Sequence, residues 1–172
     1  MGIAEELGYH LRPANVAQRG VQALGASRPG AWLFSHTLRR MDRWVQRVTG
    51  GRHTMPGLLA GLPVLRLTTT GRRSGVPRSS YLLAIPYGDT LTLLGTNFGQ
   101  ASTPAWVLNL EADPSATLTF RGRSVTVVSR LATPAEHAEV LTRAEAVYVG
   151  YRRYQERIAD RRLRIFVLEP AG

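Results

Sequence analysis

The sequence predicts an α+β domain built on about six short, mainly antiparallel strands with flanking helices. Three observations carry the prediction. Segments rich in β-branched residues recur from residue 64 onward, most links between them are hairpin-short, and helical patterns are interspersed among them. A parallel doubly wound sheet fits badly, because each of its crossovers takes a dozen or more residues. A chain of 172 residues with 44% apolar side chains is ordinary for one soluble domain with its own core.

The elements follow in order. Residues 1–28 are weakly periodic and rich in small side chains, so they read as a loosely ordered arm with room for a short helix. Over residues 31–48, Phe34, Leu38, Met41, Val45 and Val48 recur at helical intervals, while Arg39, Arg40, Arg43 and Arg47 lie mostly off that stripe. Gly50 and Gly51 stop this helix. It packs on its own core or, with Trp32 and Trp44, lies on an anionic membrane surface. The pattern turns to β at Val64–Thr70, and a Gly-rich turn leads into a second strand over residues 78–86. Gly88-Asp89 introduces a third strand over residues 90–96. A loop over residues 97–102 then meets Thr103-Pro104, which reads as an N-cap followed by proline in the first helical turn. That helix breaks at Asp113-Pro114. Ser115–Phe120 and residues 124–130 form a hairpin around Gly122, and Thr133-Pro134 with Glu136 starts another helix on the same cap logic. Residues 148–158 are a tyrosine-bearing helical stretch, and residues 163–168 are the last strand. The division expected is an N-terminal arm and basic helix over residues 1–55, then a barrel domain over residues 56–172.

Composition excludes much chemistry. All 22 basic residues are Arg, and there is no Lys and no Cys. Phosphate loops of the Walker type, Schiff-base catalysis, thiol nucleophiles and thiolate metal sites are therefore out. His10, His36, His53 and His137 are scattered without metal-ligand spacing, so no metal site is expected. No apolar run approaches the roughly 20 residues of a membrane span, and the first 20 residues lack the apolar core of a secretion signal. The expected location is cytoplasmic, with membrane association resting on residues 31–48 alone. The formal charge is +10, and residues 1–80 hold 12 Arg against 3 acids. Such a block suits a polyanion: nucleic acid, an anionic membrane or an acidic cofactor.

Three groupings stand out. The turn over residues 69–78 joins exposed glycine backbone to Arg72, Arg73 and Arg78, which together can hold phosphate or carboxylate. The loop over residues 95–102 leads to a helix N-terminus, a second anion-favouring device. Tyr148, Tyr151 and Tyr154 recur at i, i+3 and i+6, so three phenols can line one side of a helix.

Taken together, these segments resemble a known family. LTTTGRRSGVPR over residues 67–78, TNFG over 96–99, PAWVLNLEADP over 104–114, the three spaced tyrosines and FVLEP over 166–170 are similar in order and spacing to the deazaflavin (F420)-dependent nitroreductase family. RPGAWLF over residues 28–34 and GGR over 50–52 resemble a subset of it. The resemblance implies a split β-barrel of the flavin-mononucleotide-binding type, reduced coenzyme F420 as cofactor, and hydride transfer to a quinone, enone or nitro compound. It implies that Arg72, Arg73 and Arg78 hold the cofactor's phosphate and glutamate tail. Thr96, Asn97, Gly99, Trp106 and Asn109 would frame the cofactor, and Tyr148, Tyr151, Tyr154 and Thr96 would face the substrate. Asn97 stands where some relatives carry Lys, and Thr96 where some carry Ser. Hydride transfer needs donor and acceptor atoms held about 3–3.5 Å apart, and the cofactor carries the difficult chemistry. No acid–base pair is then needed. The alternatives are FMN or haem on the same barrel, a non-catalytic deazaflavin carrier, or a basic nucleic-acid module. The last fits poorly, because the tyrosines lie outside the Arg-rich half. The protein is expected as a monomer or homodimer.

Overall fold

A computed structural model of the protein describes residues 2–11, 62–148, 150–158 and 162–172. The basic helix expected over residues 31–48, its membrane contact, and the resemblances at residues 28–34 and 50–52 lie outside the described residues.

Seven strands form one antiparallel sheet: β1 (Val64–Thr70), β2 (Pro77–Leu83), β3 (Ile85–Tyr87), β4 (Thr90–Leu94), β5 (Ser115–Phe120), β6 (Arg123–Leu131) and β7 (Ile165–Pro170). Their order is β2-β1-β5-β6-β7-β4-β3. One consequence follows from that order. β2 and β3 are the two outer strands, yet only Ala84 separates them in sequence. The sheet must therefore curl until its edges approach, which makes it a split barrel. The single strand expected over residues 78–86 is thus two strands with a corner at Ala84, which brings the expected six or so to seven among the described residues. No local feature of the sequence marks the corner, because closure of the sheet imposes it.

Among the described residues four helices flank the sheet: α1 (Ile3–Leu7), α2 (Ala105–Ala112), α3 (Pro134–Val147) and α4 (Gly150–Arg157). α1 is the short helix allowed for in residues 1–28, and over residues 2–11 the chain packs on the core rather than forming a loose arm. Ile3, Leu7 and Tyr9 are fully buried in the main core with Leu65, Leu91 and Leu118. The Tyr9 hydroxyl accepts from the Ala84 N–H at 3.0 Å and lies 2.9 and 2.8 Å from the carbonyls of Ala84 and Pro63. It thereby satisfies backbone groups that the corner withdraws from the sheet ladder. Its ring meets Phe120 edge-on at 5.1 Å. Inside the barrel the strands alternate as a half-buried sheet should: Val125 and Val127 are buried while Ser124 and Thr126 are exposed. A second core, including Val140, Ala144, Ile165 and the buried tyrosines, seats α3 and α4 against the barrel.

The two Thr-Pro starts diverge. Thr133 caps α3 as expected, accepting from Glu136 N–H at 3.3 Å while the Glu136 carboxylate accepts from Thr133 N–H at 2.8 Å. α2 instead begins one residue later than expected. Its N-cap position is Pro104, and no side chain caps it. Among the described residues no helix is long and apolar enough to cross a membrane.

Candidate functional site

The turn between β1 and β2 is tightly built. Gly71 N–H donates to Val76 O at 2.9 Å, and Gly75 N–H donates to Gly71 O at 2.7 Å. Arg72 and Arg73 stand exposed at its tip. Arg78 lies opposite Thr69 in the ladder, on the face that Thr69 buries, and is itself exposed. Among the described residues none of these three guanidinium groups meets an acid. Other arginines do: Arg130 with Glu136 and Glu169, Arg143 with Glu139, Arg152 with Glu145, Arg164 with Glu111.

Asn109 sets where that turn sits. Only 5% exposed, it accepts from the Arg72 N–H at 3.1 Å and donates to the Thr69 hydroxyl at 3.0 Å. Its side chain thereby fastens the turn to α2. Asn109 stands four residues into the helix, so the turn lies on the order of 6 Å along the axis from the uncapped start. Trp106, a residue the resemblance placed beside the cofactor, is buried and packs edge-on against Phe166 at 5.9 Å. It supports α2 from the core side.

The loop before α2 carries the next group. Thr96 is 7% exposed, and its N–H donates to Leu94 O at 2.9 Å. Asn97 adopts a left-handed φ of 48°. Asn is among the residues that tolerate this region best. Its amide donates to Ser102 O at 2.9 Å and lies 3.1 Å from the Ser102 hydroxyl, which closes the loop on itself. Asn97 therefore braces the loop from within. Gly99, at φ 75°, packs directly on α4: a Cβ there would come within 3.3 Å of the Tyr154 ring and 3.0 Å of Arg157.

The three tyrosines do gather, though not as one helical stripe. Tyr148 precedes α4, in extended backbone at the end of α3. Its ring folds back over Gly150, where any Cβ would overlap it. The rings lie 5.7, 6.0 and 6.5 Å apart, and the Tyr148 and Tyr154 hydroxyls share a hydrogen bond at 3.0 Å. Tyr151 and Tyr154 are buried, whereas Tyr148 is partly exposed. Burial pushes all three phenols above their ordinary range. All three are neutral hydrogen-bond donors at physiological pH. The Tyr151 hydroxyl makes no hydrogen bond among the described residues.

The parts form one path: the arginine turn, Asn109, the open start of α2, the loop braced by Asn97, then Gly99 against Tyr154. Sequence reasoning did not single out Thr69 or Ser102, the partners that hold Asn109 and Asn97. Neither residue carries a local signal, since each acts only through a neighbour from another element.

Known proteins resemble this chain in sequence and fold. A family model described as F420H(2)-dependent quinone reductase matches residues 38–170. An F420H(2)-dependent quinone reductase of Mycobacterium tuberculosis is 30% identical over 108 residues, spanning 60% of this chain and 70% of that protein. A solved structure described as an F420-H2 dependent reductase (FDR-A) superposes with a TM-score of 0.57 at 24% identity, over 62% of this chain and 94% of that one. Another, described as a domain-swapped dimer, gives a TM-score of 0.58 at 24% identity over 82% and 99% of the two chains. The two structures establish the split-barrel fold.

Proposed function

This chain belongs to the F420H(2)-dependent quinone reductase family, and we propose that it passes hydride from reduced coenzyme F420 to a quinone, or to a similarly electron-poor enone or nitro compound. It is an F420H2-dependent oxidoreductase. The observation that carries the substrate reading is the pairing of two unlike surfaces on one path, arginines that meet no acid among the described residues at one end and largely buried, protonated phenols at the other.

The donor set suits this cofactor. Arg72, Arg73 and Arg78 offer forked donors to its phosphate and glutamate carboxylates. The turn amides and the open α2 terminus add partial positive charge. When bound, the deazaflavin supplies the hydride. The chain's own work is then placement and protonation. Asn109 fixes the arginine turn to α2. Asn97 and Gly99 hold the loop against the tyrosine helix, and Trp106 backs α2. Tyr151, with its hydroxyl uncommitted, donates to the oxygen that gains charge, and Thr96 is the second candidate donor. The Tyr148–Tyr154 hydrogen bond keeps those two rings in register. FMN lacks the glutamate tail, so it leaves part of the arginine cluster unused.

Titration with oxidised F420 and with FMN, followed by turnover of a quinone panel with reduced F420, tests the reading. F420 is expected to bind more tightly than FMN, and quinones to be reduced. Failure to bind F420 would overturn the cofactor site. Tyr151→Phe is expected to slow turnover about tenfold or more with F420 affinity nearly unchanged. For membrane contact by residues 31–48, vesicle flotation of the full chain against its variant with Arg39, Arg40, Arg43 and Arg47 changed to Gln decides, equal binding rejecting it. Light scattering reads the oligomeric state, for which a homodimer is proposed by likeness to the domain-swapped relative.

A further inference from the structure

We infer that Gln155 is a second substrate-binding residue beside Tyr151, its side-chain amide donating a hydrogen bond to a carbonyl oxygen of the quinone. The inference rests on the quinone reading above and adds to it a residue that neither the sequence motifs nor the family resemblance singled out.

Gln155 stands four residues after Tyr151, one turn further along α4. Side chains at that spacing share a helix face. The face is the inward one: Tyr151, Tyr154 and Ile158 on it are buried, while Arg152, Arg153 and Glu156 point outward. A glutamine in such a stripe is expected to find partners for its amide. Its Nε2 instead is enclosed and has no hydrogen-bond partner among the described residues. A buried N–H left unmade costs folding free energy, and native proteins keep few of them.

The surrounding polar groups make the gap specific. Tyr148 pairs with Tyr154, Arg152 with Glu145, and Asn97 with Ser102. Among the buried and half-buried side chains described on α4, the donors without a hydrogen-bond partner are the Gln155 amide and the Tyr151 hydroxyl. They occupy one face, a single turn apart. A ligand rich in acceptors and poor in donors suits them, and a quinone is such a ligand. Its carbonyl oxygens accept only. The reduced product carries hydroxyls, and the carbonyl end of the same amide can accept from one of these. Ser129 also buries an unpaired hydroxyl. It sits on β6, away from α4 in the chain, with only its own small group to satisfy.

Two variants test the assignment, with menadione as quinone and reduced F420 as donor. Gln155→Met keeps length and removes the amide. Gln155→Glu keeps shape and replaces the N–H donors with a charged acceptor. Both are expected to raise the menadione KM about fivefold or more, with the Kd for oxidised F420 unchanged. Gln155→Met is further expected to hold or raise Tm, since it removes an unpaired buried group. A purely structural role predicts a changed Tm with the KM unmoved, and that result in either variant would overturn the inference. If the unsubstituted protein binds F420 but reduces no quinone, the substrate reading itself has failed, an outcome distinct from a wild-type KM in the variants.

Discussion

Two corners of the molecule start from the same parts and end in opposite electrostatic states. Each joins a Thr-Pro helix start to arginine on a neighbouring strand or turn. At α3, Thr133 and Glu136 close the helix terminus, and Arg130 is held by Glu136 at 2.8 Å and by Glu169 at 2.8 Å. At α2, the terminus has no side-chain cap, and Arg72, Arg73 and Arg78 face no acid among the described residues. The first corner is a finished structural joint. The second keeps its positive charge available, which is what a site for a polyanionic ligand requires. The difference shows that arginine content says little about binding until acid partners are located.

The contrast can be broken most directly at the open corner. The triple variant of Arg72, Arg73 and Arg78 to Ala is expected to weaken oxidised F420 binding about a hundredfold or more, each charge-assisted bond contributing about 1.5–3 kcal/mol before solvent screening. Tm should hardly move, because these side chains are exposed. A fluorescence titration within a factor of about two of the unsubstituted protein would remove the turn from the site. Next is Asn109→Leu, which strands the buried Thr69 hydroxyl and releases the Arg72 amide. Chemical denaturation should record a loss of about 1–3 kcal/mol, with weaker F420 binding as the turn loosens. Stability lost with affinity intact would mean that the turn keeps its shape without α2.

Salt sharpens the comparison with a smaller effect. Raising ionic strength about tenfold should weaken F420 binding several-fold, since the arginines are exposed. Tm should change little, because exposed ion pairs such as Arg130–Glu169 contribute about 1 kcal/mol or less. The smallest effect belongs to the closed corner. The Arg130 guanidinium and the Thr133 amide hold the Glu136 carboxyl down at about 2. A lowered carboxyl pKa stabilises the fold above the ordinary Glu range and ceases to do so as pH falls through about 2. Glu136→Gln should therefore cost about 1 kcal/mol or less at neutral pH, and nothing once the wild-type carboxyl is protonated. Its F420 affinity should match wild type. A loss of affinity would mean that the two corners are coupled.

Much of the fold could be read locally. Alternating burial in β1, β5 and β6, the glycine turns and the Thr133 capping box depend on residues a few positions apart, so their signals survive in the linear chain. The corner at Ala84 does not, since it exists only because the sheet's two edges must meet. Ile3, Leu7 and Tyr9 form too short a pattern to declare a helix, yet they complete the main core. The site was readable as composition: arginines on a turn, a loop before a helix, spaced tyrosines. The bonds that brace it were not. Asn109 and Asn97, expected to frame the cofactor, also bond Thr69, Arg72 and Ser102. Trp106 turned inward to Phe166. Tyr148 left the helix that its spacing with Tyr151 and Tyr154 implied.

By itself, the sequence determined an antiparallel α+β fold, excluded lysine and thiol chemistry, and placed a basic turn and three phenols in their order along the chain. Those properties follow from residue type and short spacing. Tertiary structure decided which arginines stay unpaired, which helix start stays open, and which donors on α4 remain free. The pairs that settle such questions are far apart in the chain: Arg130 meets Glu169 across 39 positions and Arg164 meets Glu111 across 53. A side chain's availability depends on neighbours that only folding supplies.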